Sequence, residues 1–433
     1  MQFKTLYNME SWHRPLTGLE QWSWLFDQAA VLNFVIVARV SGRFDRGRLR
    51  TALNDLANYY PNLTARIEPG RLPHFVAGAG QINLEIEQWL PDAWQEITVR
   101  EINSPFETEP GPLVRAHLLD GTDTSDLLLT FNHVLGDGMS GILIMKELLE
   151  LHAGRAPHES PQPDVLNPPL KSFFTSRLKA CVVALKMFWV SRRMMPIPPE
   201  RWVPVQERHT GLITVQLDGT FMGLLAAAAR LHHTSVHGAF VAAVLLAIEQ
   251  DMRNSNINLS GKTLGCATPV DLRRQTDMSP EAIGSLLSGV VSSHKVHRDT
   301  SFWDLAVEVS QTIRSAVESG DLLALARFQD MTVPQVRNLE KTMAAAERFN
   351  RTAAIVTNLG RIDLGTSFGP LKLERIGAIV SNNANAAASL VLSAVTIADS
   401  TSLNFMYAEP LLSKEKAQRL VDDILKRLHV AIL

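Results

Sequence analysis

Strand-like and helix-like apolar patterns follow one another along the first third of the chain. Apolar runs of strand length end at turn residues such as Ser41-Gly42, which predicts strands. Between these runs, leucines and alanines recur every three or four residues, the spacing of one helix face. The predicted strands are Val31–Val40, Leu113–Leu119 and Leu127–Phe131, the last two forming a hairpin across residues 120–123, and the predicted helices run from Asp45, as the cap, to about Tyr59 and over Ile142–Leu151.

The second half of the chain repeats this mixed pattern. Ser235 separates two helical stretches and is suited to cap the second of them. Two mixed halves predict an α/β (α+β) fold built from two subdomains. Helices are predicted over Phe221–Leu231, Val236–Met252, Phe302–Val317 and Lys414–Leu428, and strands over Thr263–Pro269, Ala353–Thr357, Ile376–Ser381 and Leu390–Ile397.

A proline-rich segment joins the two halves. Residues 153–170 contain five prolines and little periodicity, and Met194–Pro204 contains four more, a composition typical of a linker or crossover loop. The sequence therefore predicts three parts along the chain. They are a first subdomain at residues 1–160, a linker at 161–205 and a second subdomain at 206–433.

The linker contains a candidate basic amphipathic helix, Lys171–Arg193. Its aromatic and aliphatic residues favour packing on the rest of the protein, with the lysines and arginines in water. Peripheral contact with a membrane surface is the alternative for a basic amphipathic segment. The strongest apolar stretch, Ala180–Val190, is shorter than the about 20 residues that a bilayer span needs, so no transmembrane segment is predicted.

Composition and charge narrow the classes of function. Hydrophobic residues make up 46% and charged residues 20% of the 433 residues, the balance of an ordinary globular protein. The formal net charge of -2 gives no basic excess that would indicate a nucleic-acid partner. The two cysteines, Cys181 and Cys266, are predicted to be small, buried and reduced. Because the N-terminus has no apolar run of secretory length, the predicted location is the cytoplasm.

One segment carries residues suited to chemistry, Asn132-His-Val-Leu-Gly-Asp-Gly138. It follows a predicted strand and precedes a predicted helix, a junction that can hold a side chain in a cleft. The imidazole of His133 has an ordinary pKa of about 6.5, which suits proton transfer near neutrality. Asp137 either completes a His–Asp dyad or braces the loop by pairing with a distant arginine. A hydrogen-bonded core histidine is the non-functional alternative for His133.

The segment resembles the HHxxxDG signature of the CoA-dependent acyltransferase superfamily. That group includes chloramphenicol acetyltransferase, the condensation domains of peptide synthetases, alcohol acetyltransferases and polyketide-associated acyltransferases. The resemblance implies two chloramphenicol-acetyltransferase-like subdomains, each a mixed sheet with helices, around a central tunnel. Further family marks follow in the family's order, at Arg14-Pro-Leu-Thr-Gly-Leu-Glu20, Gly42-Arg-Phe-Asp45 with Tyr60-Pro61, Thr268-Pro-Val-Asp-Leu-Arg273 and Thr357-Asn-Leu-Gly-Arg361.

The resemblance implies that His133, at the second histidine position of the signature, is the catalytic base. It would take the proton from an acceptor O–H or N–H that attacks a thioester carbonyl. Neither a covalent acyl-enzyme nor a bound cofactor is expected, and the donor substrate is an acyl-CoA or a phosphopantetheinyl acyl thioester. Backbone donors near Gly138, at the predicted helix start, are suited to stabilise the oxyanion.

The resemblance gives the remaining site residues supporting roles. Asp137 is expected to pair with a distant arginine, and Arg273 is the candidate because it ends the matching strand motif. Asn132 stands where the family has its first histidine and is expected to support the loop. Asn358, in the segment that resembles the family's N-x-G mark, is expected to line the site.

Other candidate motifs predict no further site. Gly261-Lys-Thr263 is the tail of a phosphate-loop motif, but Asn256 replaces the glycine that must begin it. His232, His233 and His237 are predicted to be helix-end histidines, since no H-E-x-x-H and no cysteine pair accompany them. No metal site is therefore predicted.

Three functions fit these features. The first is an O-acyltransferase that forms an ester on a small-molecule or lipid acceptor, which the stand-alone length of the chain favours. The second is an amide-forming condensation enzyme that takes its acyl group from an acyl carrier protein. The third is a non-catalytic binding relative, which Asn132 motivates. Because one chain contains both halves, a monomer is predicted.

Overall fold

Two large mixed sheets covered by helices dominate the computed structural model, which describes residues 12–78, 80–158, 175–276, 278–336, 338–349, 351–383 and 389–433. Within these ranges a small sheet of three strands accompanies the two sheets of six strands. The strands are β1 (His13–Pro15), β2 (Asn33–Ser41), β3 (Arg66–Glu68), β4 (His74–Val76), β5 (Asn83–Gln88), β6 (Val114–Asp120), β7 (Thr124–Asn132), β8 (His209–Asp218), β9 (Leu264–Asp271), β10 (Leu287–His294), β11 (Ala354–Arg361), β12 (Ser367–Phe368), β13 (Leu371–Val380), β14 (Leu390–Ile397) and β15 (Ser400–Glu409).

The first sheet has the strand order β12-β13-β2-β7-β6-β5. β6 and β7 pair antiparallel, with Val114 opposite Phe131, so the predicted hairpin is confirmed. β2 runs antiparallel to β7, with Asn33 opposite Asn132. The second sheet has the order β10-β9-β11-β14-β15-β8. It contains three strands predicted in the second half, which are β9, β11 and β14.

Two neighbouring strands of the second half, β12 and β13, belong to the first sheet. β13 pairs antiparallel with β2, and Ile376 lies opposite Ala38. The sheets also share a buried cluster, in which Val35 of β2 packs with Val391 of β14 and Met406 of β15. The predicted subdomain at residues 206–433 therefore contributes β12 and β13 to the sheet of its neighbour, and the two halves share part of one core.

Helices cover both sheets, and polar side chains cap many of them. Asp45 accepts a hydrogen bond from the Arg48 N–H, and Ser235 accepts one from the Gly238 N–H, so both predicted caps are confirmed. In the described ranges no single helix combines the length and apolar character needed to cross a membrane. The helices Gly219–Leu231 and Val236–Asn254 meet this condition only as a pair, across a 94° bend. The helices are α1 (Gly18–Ala29), α2 (Arg46–Tyr59), α3 (Ala93–Asn103), α4 (Gly138–His152), α5 (Arg177–Ser191), α6 (Gly219–Leu231), α7 (Val236–Asn254), α8 (Phe302–Glu318), α9 (Asp321–Thr332), α10 (Leu339–Phe349) and α11 (Lys414–Ala431).

The predicted linker is described only from residue 175 onwards. Its start at residue 161 and the first residues of the predicted Lys171–Arg193 helix lie outside the described residues. α5 packs against α9 and buries Ala180 and Val183. Cys266 is buried as predicted, but the prediction of a buried Cys181 is wrong, because that thiol lies on the exposed side of α5.

Candidate active site

The motif segment, residues 132–138, links the end of β7 to the start of α4. His133–Leu135 form a short 3₁₀ turn between them. The Asn132 side chain accepts from the backbone N–H two residues on at 3.1 Å, and the Asp137 carboxylate accepts from the N–H three residues on at 2.8 Å. Each polar side chain therefore caps one helical start, and both ends of the segment are held.

His133 lies with its ring against apolar side chains. Its backbone N–H donates to the Leu32 carbonyl at 2.9 Å, and its ring is edge-on to Phe34 with 5.2 Å between the ring centres. In the described structure its Nδ1 atom is buried without a hydrogen-bond partner. Burial lowers the pKa of His133, because the charged imidazolium loses hydration. The ring is therefore neutral near neutral pH and able to accept a proton.

Asp137 does not complete a dyad with His133. Its Oδ2 atom accepts from Arg273 Nη1 at 2.9 Å and from the Leu286 N–H at 3.1 Å. Its Oδ1 atom accepts from Arg273 Nη2 at 3.2 Å. Among the described residues no hydrogen bond joins the Asp137 and His133 side chains. The structure thus brings Asp137 to Arg273, the partner that the family resemblance implied.

The Asp137–Arg273 pair is buried and ties the first half of the chain to the second. The two side chains are 6% and 2% exposed, and Arg273 Nε also donates to the Ala282 carbonyl at 2.8 Å. Burial acts to raise the pKa of Asp137, but the charge of Arg273 and the hydrogen bonds outweigh it, so that pKa is lowered. The pair is therefore ionised on both sides and fixes the motif segment to residues 273–286.

Ser140 lies at the centre of this network, and sequence reasoning missed it. Its hydroxyl accepts from Arg273 Nη2 at 2.8 Å and from the Gly284 N–H at 3.1 Å. Because a hydroxyl carries one proton, it donates either to Asp137 at 2.8 Å or to the Gly284 carbonyl at 2.9 Å. The sequence signal for this role is a serine three residues after a helix-capping aspartate.

Asn132 belongs to a second polar pair, whose acidic partner Asp27 was also missed. Asn132 Nδ2 donates to Asp27 Oδ2 at 2.9 Å, and Asp27 Oδ1 accepts from the Leu32 N–H at 2.9 Å. Burial raises the pKa of Asp27. Since Leu32 also accepts from the His133 N–H, the Asp27–Asn132 pair and Leu32 together position the backbone of His133. The predicted role of Asn132, to support the loop for activity, stays a prediction.

Two glycines lie where α4 approaches the two sheets. A Cβ atom at Gly141 would lie 2.6 Å from the Phe34 ring and 2.7 Å from Ile36, distances that no side chain tolerates. A Cβ at Gly138 would lie 3.5 Å from Leu359 of β11, an ordinary contact. Gly141 is therefore required for the close packing of α4 on β2, whereas the space at Gly138, where α4 begins beside β11, would admit a Cβ atom.

Asn358 lies on β11, next to the residue that Gly138 contacts. Its side-chain oxygen accepts from the Gly360 N–H at 2.9 Å, at a bulge in the pairing of β11 with β14. No hydrogen bond to His133 is present in the described part of the chain. Asn358 therefore braces the bulge, and its predicted place in the lining of the site stays a prediction.

Two large cavities lie away from the motif segment. One, of about 1070 Å³, lies among α6, α7, α8 and α11. The other, of about 1150 Å³, lies between α5, β10, α8 and α9. His133 lines neither of them, so the central tunnel implied by the resemblance stays a prediction.

Two of the three neighbouring histidines, His232 and His237, have separate partners. His232 stacks on Trp303 with 4.6 Å between ring centres. His237 Nε2 lies 3.0 Å from Thr268 Oγ1, and burial lowers the pKa of His237 to about 4. The interpretation of these residues as helix-end histidines without a metal stays a prediction.

Glu85, Glu87 and His117 could hold a metal ion by geometry, because their ligand atoms lie within 4.8 Å of one another. However, an Arg100 guanidinium nitrogen lies 3.2 Å from His117 Nε2. The positive charge of Arg100 opposes a cation at this place, so no metal site is assigned to this cluster.

The condensation-domain family model matches residues 18–433. The chain belongs to the condensation-domain family. Over 167 residues it is 29% identical to the phosphinothricin tripeptide synthetase PhsB of Streptomyces viridochromogenes, a match that covers 34% of this chain. The same match covers 14% of that relative, so this condensation domain spans a small part of the length of the synthetase. Family membership supports an acyl-transferring enzyme.

Solved structures confirm the fold of this condensation domain. It is similar to polyketide synthase associated protein 5 from Mycobacterium tuberculosis, with a TM-score of 0.68, 17% identity and coverage of 96% of this chain and 98% of the other. It is also similar to the TRI3 trichothecene 15-O-acetyltransferase from Fusarium sporotrichioides, with a TM-score of 0.73, 13% identity and coverage of 99% and 97%. At these identities the likeness confirms the predicted α/β fold of two subdomains and carries no substrate assignment.

Proposed function

We propose that this condensation domain transfers an acyl group from a thioester donor to a hydroxyl acceptor and forms an ester, with His133 as the general base. The observation that carries the proposal is a half-buried His133 on a segment held at both ends. The Asp27–Asn132 pair holds one end, and the Asp137–Arg273 pair holds the other. A base positioned in this way typically contributes about 10²–10⁴-fold to the rate.

In the proposed reaction, His133 accepts the hydroxyl proton of the acceptor while the hydroxyl oxygen attacks the thioester carbon. A C–O bond forms, and the carbonyl π electrons move to oxygen to give a tetrahedral oxyanion. The oxyanion then collapses, the C–S bond breaks, and the departing thiolate takes the proton from the imidazolium. The first N–H groups of α4, at Gly138 and Met139, have no intrahelical acceptor and are the proposed donors to the oxyanion.

A hydroxyl acceptor depends on this base more strongly than an amine does. A neutral alcohol is a weak nucleophile until its proton begins to leave, so its attack requires a positioned base. A neutral amine already has an available lone pair and can lose its proton after the attack. The lowered pKa of His133 keeps the ring in the basic form that the alcohol needs.

Amide formation from a carrier-bound donor is the second candidate, and the match to a tripeptide synthetase favours it. An acyl-CoA and an acyl carrier protein would both present a phosphopantetheinyl thioester to His133, so the proton transfer is the same for either donor. The acceptor separates the two candidates, because an alcohol gives an ester and an amine gives an amide. The monomeric state and the cytoplasmic location stay predictions.

A panel of thioester donors and acceptors tests the proposed function. Purified protein is mixed with acyl-CoAs or acyl carrier proteins and with alcohols or amines of matched size, and thiol release and product mass are measured. We expect ester products to exceed amide products with acceptors of matched structure. Amides as the main product would favour the second candidate, and no turnover with any donor would favour a non-catalytic binding protein.

The pH dependence of kcat/KM is expected to show an acid limb below the ordinary histidine value of about 6.5. Burial lowers the pKa of His133, so the ring stays neutral to a lower pH than an exposed histidine would. Activity falls only when the pH drops through that lowered pKa, because the imidazolium cannot accept a proton. Rates of thiol release measured across a pH series locate this limb, and a limb above the ordinary value would contradict the assignment.

A further inference from the structure

The exposed face of α5 carries an apolar stripe. Leu178, Val182, Leu185 and Trp189 follow one another at intervals of four, three and four residues, which places them on one helix face. They are 76%, 57%, 57% and 60% exposed, respectively. The opposite face packs on the protein through smaller side chains. α5 therefore leaves a continuous row of large apolar side chains in solvent, whereas an ordinary surface helix turns such a row towards the core.

Cations border this apolar stripe on both sides, and residues 175–199 contain no Asp or Glu. Lys186 lies 3.7 Å from Asp321, yet its side chain remains 71% exposed. The guanidinium of Arg192 lies 5.7 Å from the centre of the Trp189 ring. The segment itself is thus positively charged. The exposed cations of the segment are Arg177, Lys186, Arg192 and Arg193.

We propose that the apolar stripe of α5 docks on the surface of an anionic lipid bilayer. Its side chains would enter the boundary between headgroups and acyl chains, while the bordering cations stay among the anionic headgroups. Trp189 suits this boundary because an indole ring is largely apolar and carries one polar N–H. The stripe is a single row of side chains flanked by cations, an arrangement that a deformable headgroup layer accommodates along its whole length.

Vesicle flotation tests the docking directly. The full chain is mixed with vesicles of phosphatidylcholine alone or of phosphatidylcholine with phosphatidylglycerol. We expect strong binding to the mixed vesicles and weak binding to the neutral ones. Added salt is expected to weaken the binding, because it screens exposed charges. Replacing Arg192 and Arg193 by glutamine should reduce the affinity about fivefold for each cation removed.

A matched pair of double variants tests the apolar contribution. Leu185→Glu with Trp189→Glu places charge in the stripe and is expected to abolish vesicle binding. The control is Leu231→Glu with Trp202→Glu, the same substitutions at residues that are 77% and 63% exposed elsewhere. The control should bind as the wild type does. All four substitutions are at exposed positions, so equal thermal midpoints are expected and should be verified.

A dye attached to Cys181 gives an independent measurement of the contact between α5 and the vesicles. It is exposed on α5, whereas Cys266 is buried, so a thiol-reactive, environment-sensitive dye should label Cys181 selectively. We expect the emission of the labelled protein to shift to shorter wavelength with anionic vesicles and to stay unchanged with neutral ones. In the Leu185→Glu, Trp189→Glu background the shift should disappear.

Three results would overturn the proposal. The first is that the wild type fails to float with anionic vesicles, and the second is that the control variant loses binding as fully as the α5 variant. The third is a concentration-dependent dimer, without vesicle binding, that only the α5 variant abolishes; this result would assign the stripe to a second copy of the chain. Neither readout requires turnover, so they are independent of the proposed acyl transfer.

Discussion

His133→Ala is expected to reduce the rate of acyl transfer by about 10²–10⁴-fold, the usual contribution of a positioned general base. Without the imidazole, the acceptor proton has to pass to solvent as the oxygen attacks, and the transition state loses that assistance. The fold is expected to remain, because Nδ1 makes no hydrogen bond in the described structure and the backbone bond to Leu32 does not involve the side chain. Initial rates of thiol release, product mass and the thermal midpoint measure both effects.

His232→Ala is the matched control for this variant. His232 is exposed at the end of α6 and stacks on Trp303, away from the motif segment. Its replacement should leave the rate of acyl transfer unchanged. If His133→Ala instead kept the full rate and a stable fold, the base assignment would fail. A non-catalytic binding role would then explain the motif better.

Elements whose signals lie within a few residues could be predicted from the sequence. Asp45 caps α2 because a carboxylate lies directly before an apolar helical repeat. The β6–β7 hairpin follows from two apolar runs around a polar turn. The pairing of Asp137 with Arg273, 136 residues apart, came from the family resemblance. Periodicity alone contains no information on such distant contacts.

Features that depend on distant contacts could not be predicted from local pattern. β13 has the composition of a strand, but nothing in it indicates that its partner is β2 in the other half of the chain. Ser140 and Asp27 have no local sequence feature that indicates their roles. Their partners, Gly284 and Asn132, are distant in the sequence. Cys181 was predicted to be buried because free cysteines usually are, yet the helix turns it to solvent.

Asp137→Ala is expected to lower the free energy of unfolding by about 3–5 kcal/mol, the usual cost of leaving one member of a buried ion pair without its partner. Arg273 is 2% exposed, so its guanidinium has little access to water as a substitute. The Leu286 N–H and the Ser140 hydroxyl also lose an acceptor. Urea unfolding of the wild type and the variant measures the difference. The comparison requires that the free energy of unfolding falls with urea concentration at the same slope in both proteins.

Two further variants separate this cost from the general effect of losing a charge. Asp423→Ala breaks the Arg427–Asp423 pair, whose side chains are 25% and 29% exposed, and should cost less than about 1 kcal/mol. Asp137→Ala combined with Arg273→Met removes both buried charges and should recover part of the lost stability, since no unpaired charge remains. If Asp137→Ala were as stable as the wild type, the buried pair would not brace the motif segment.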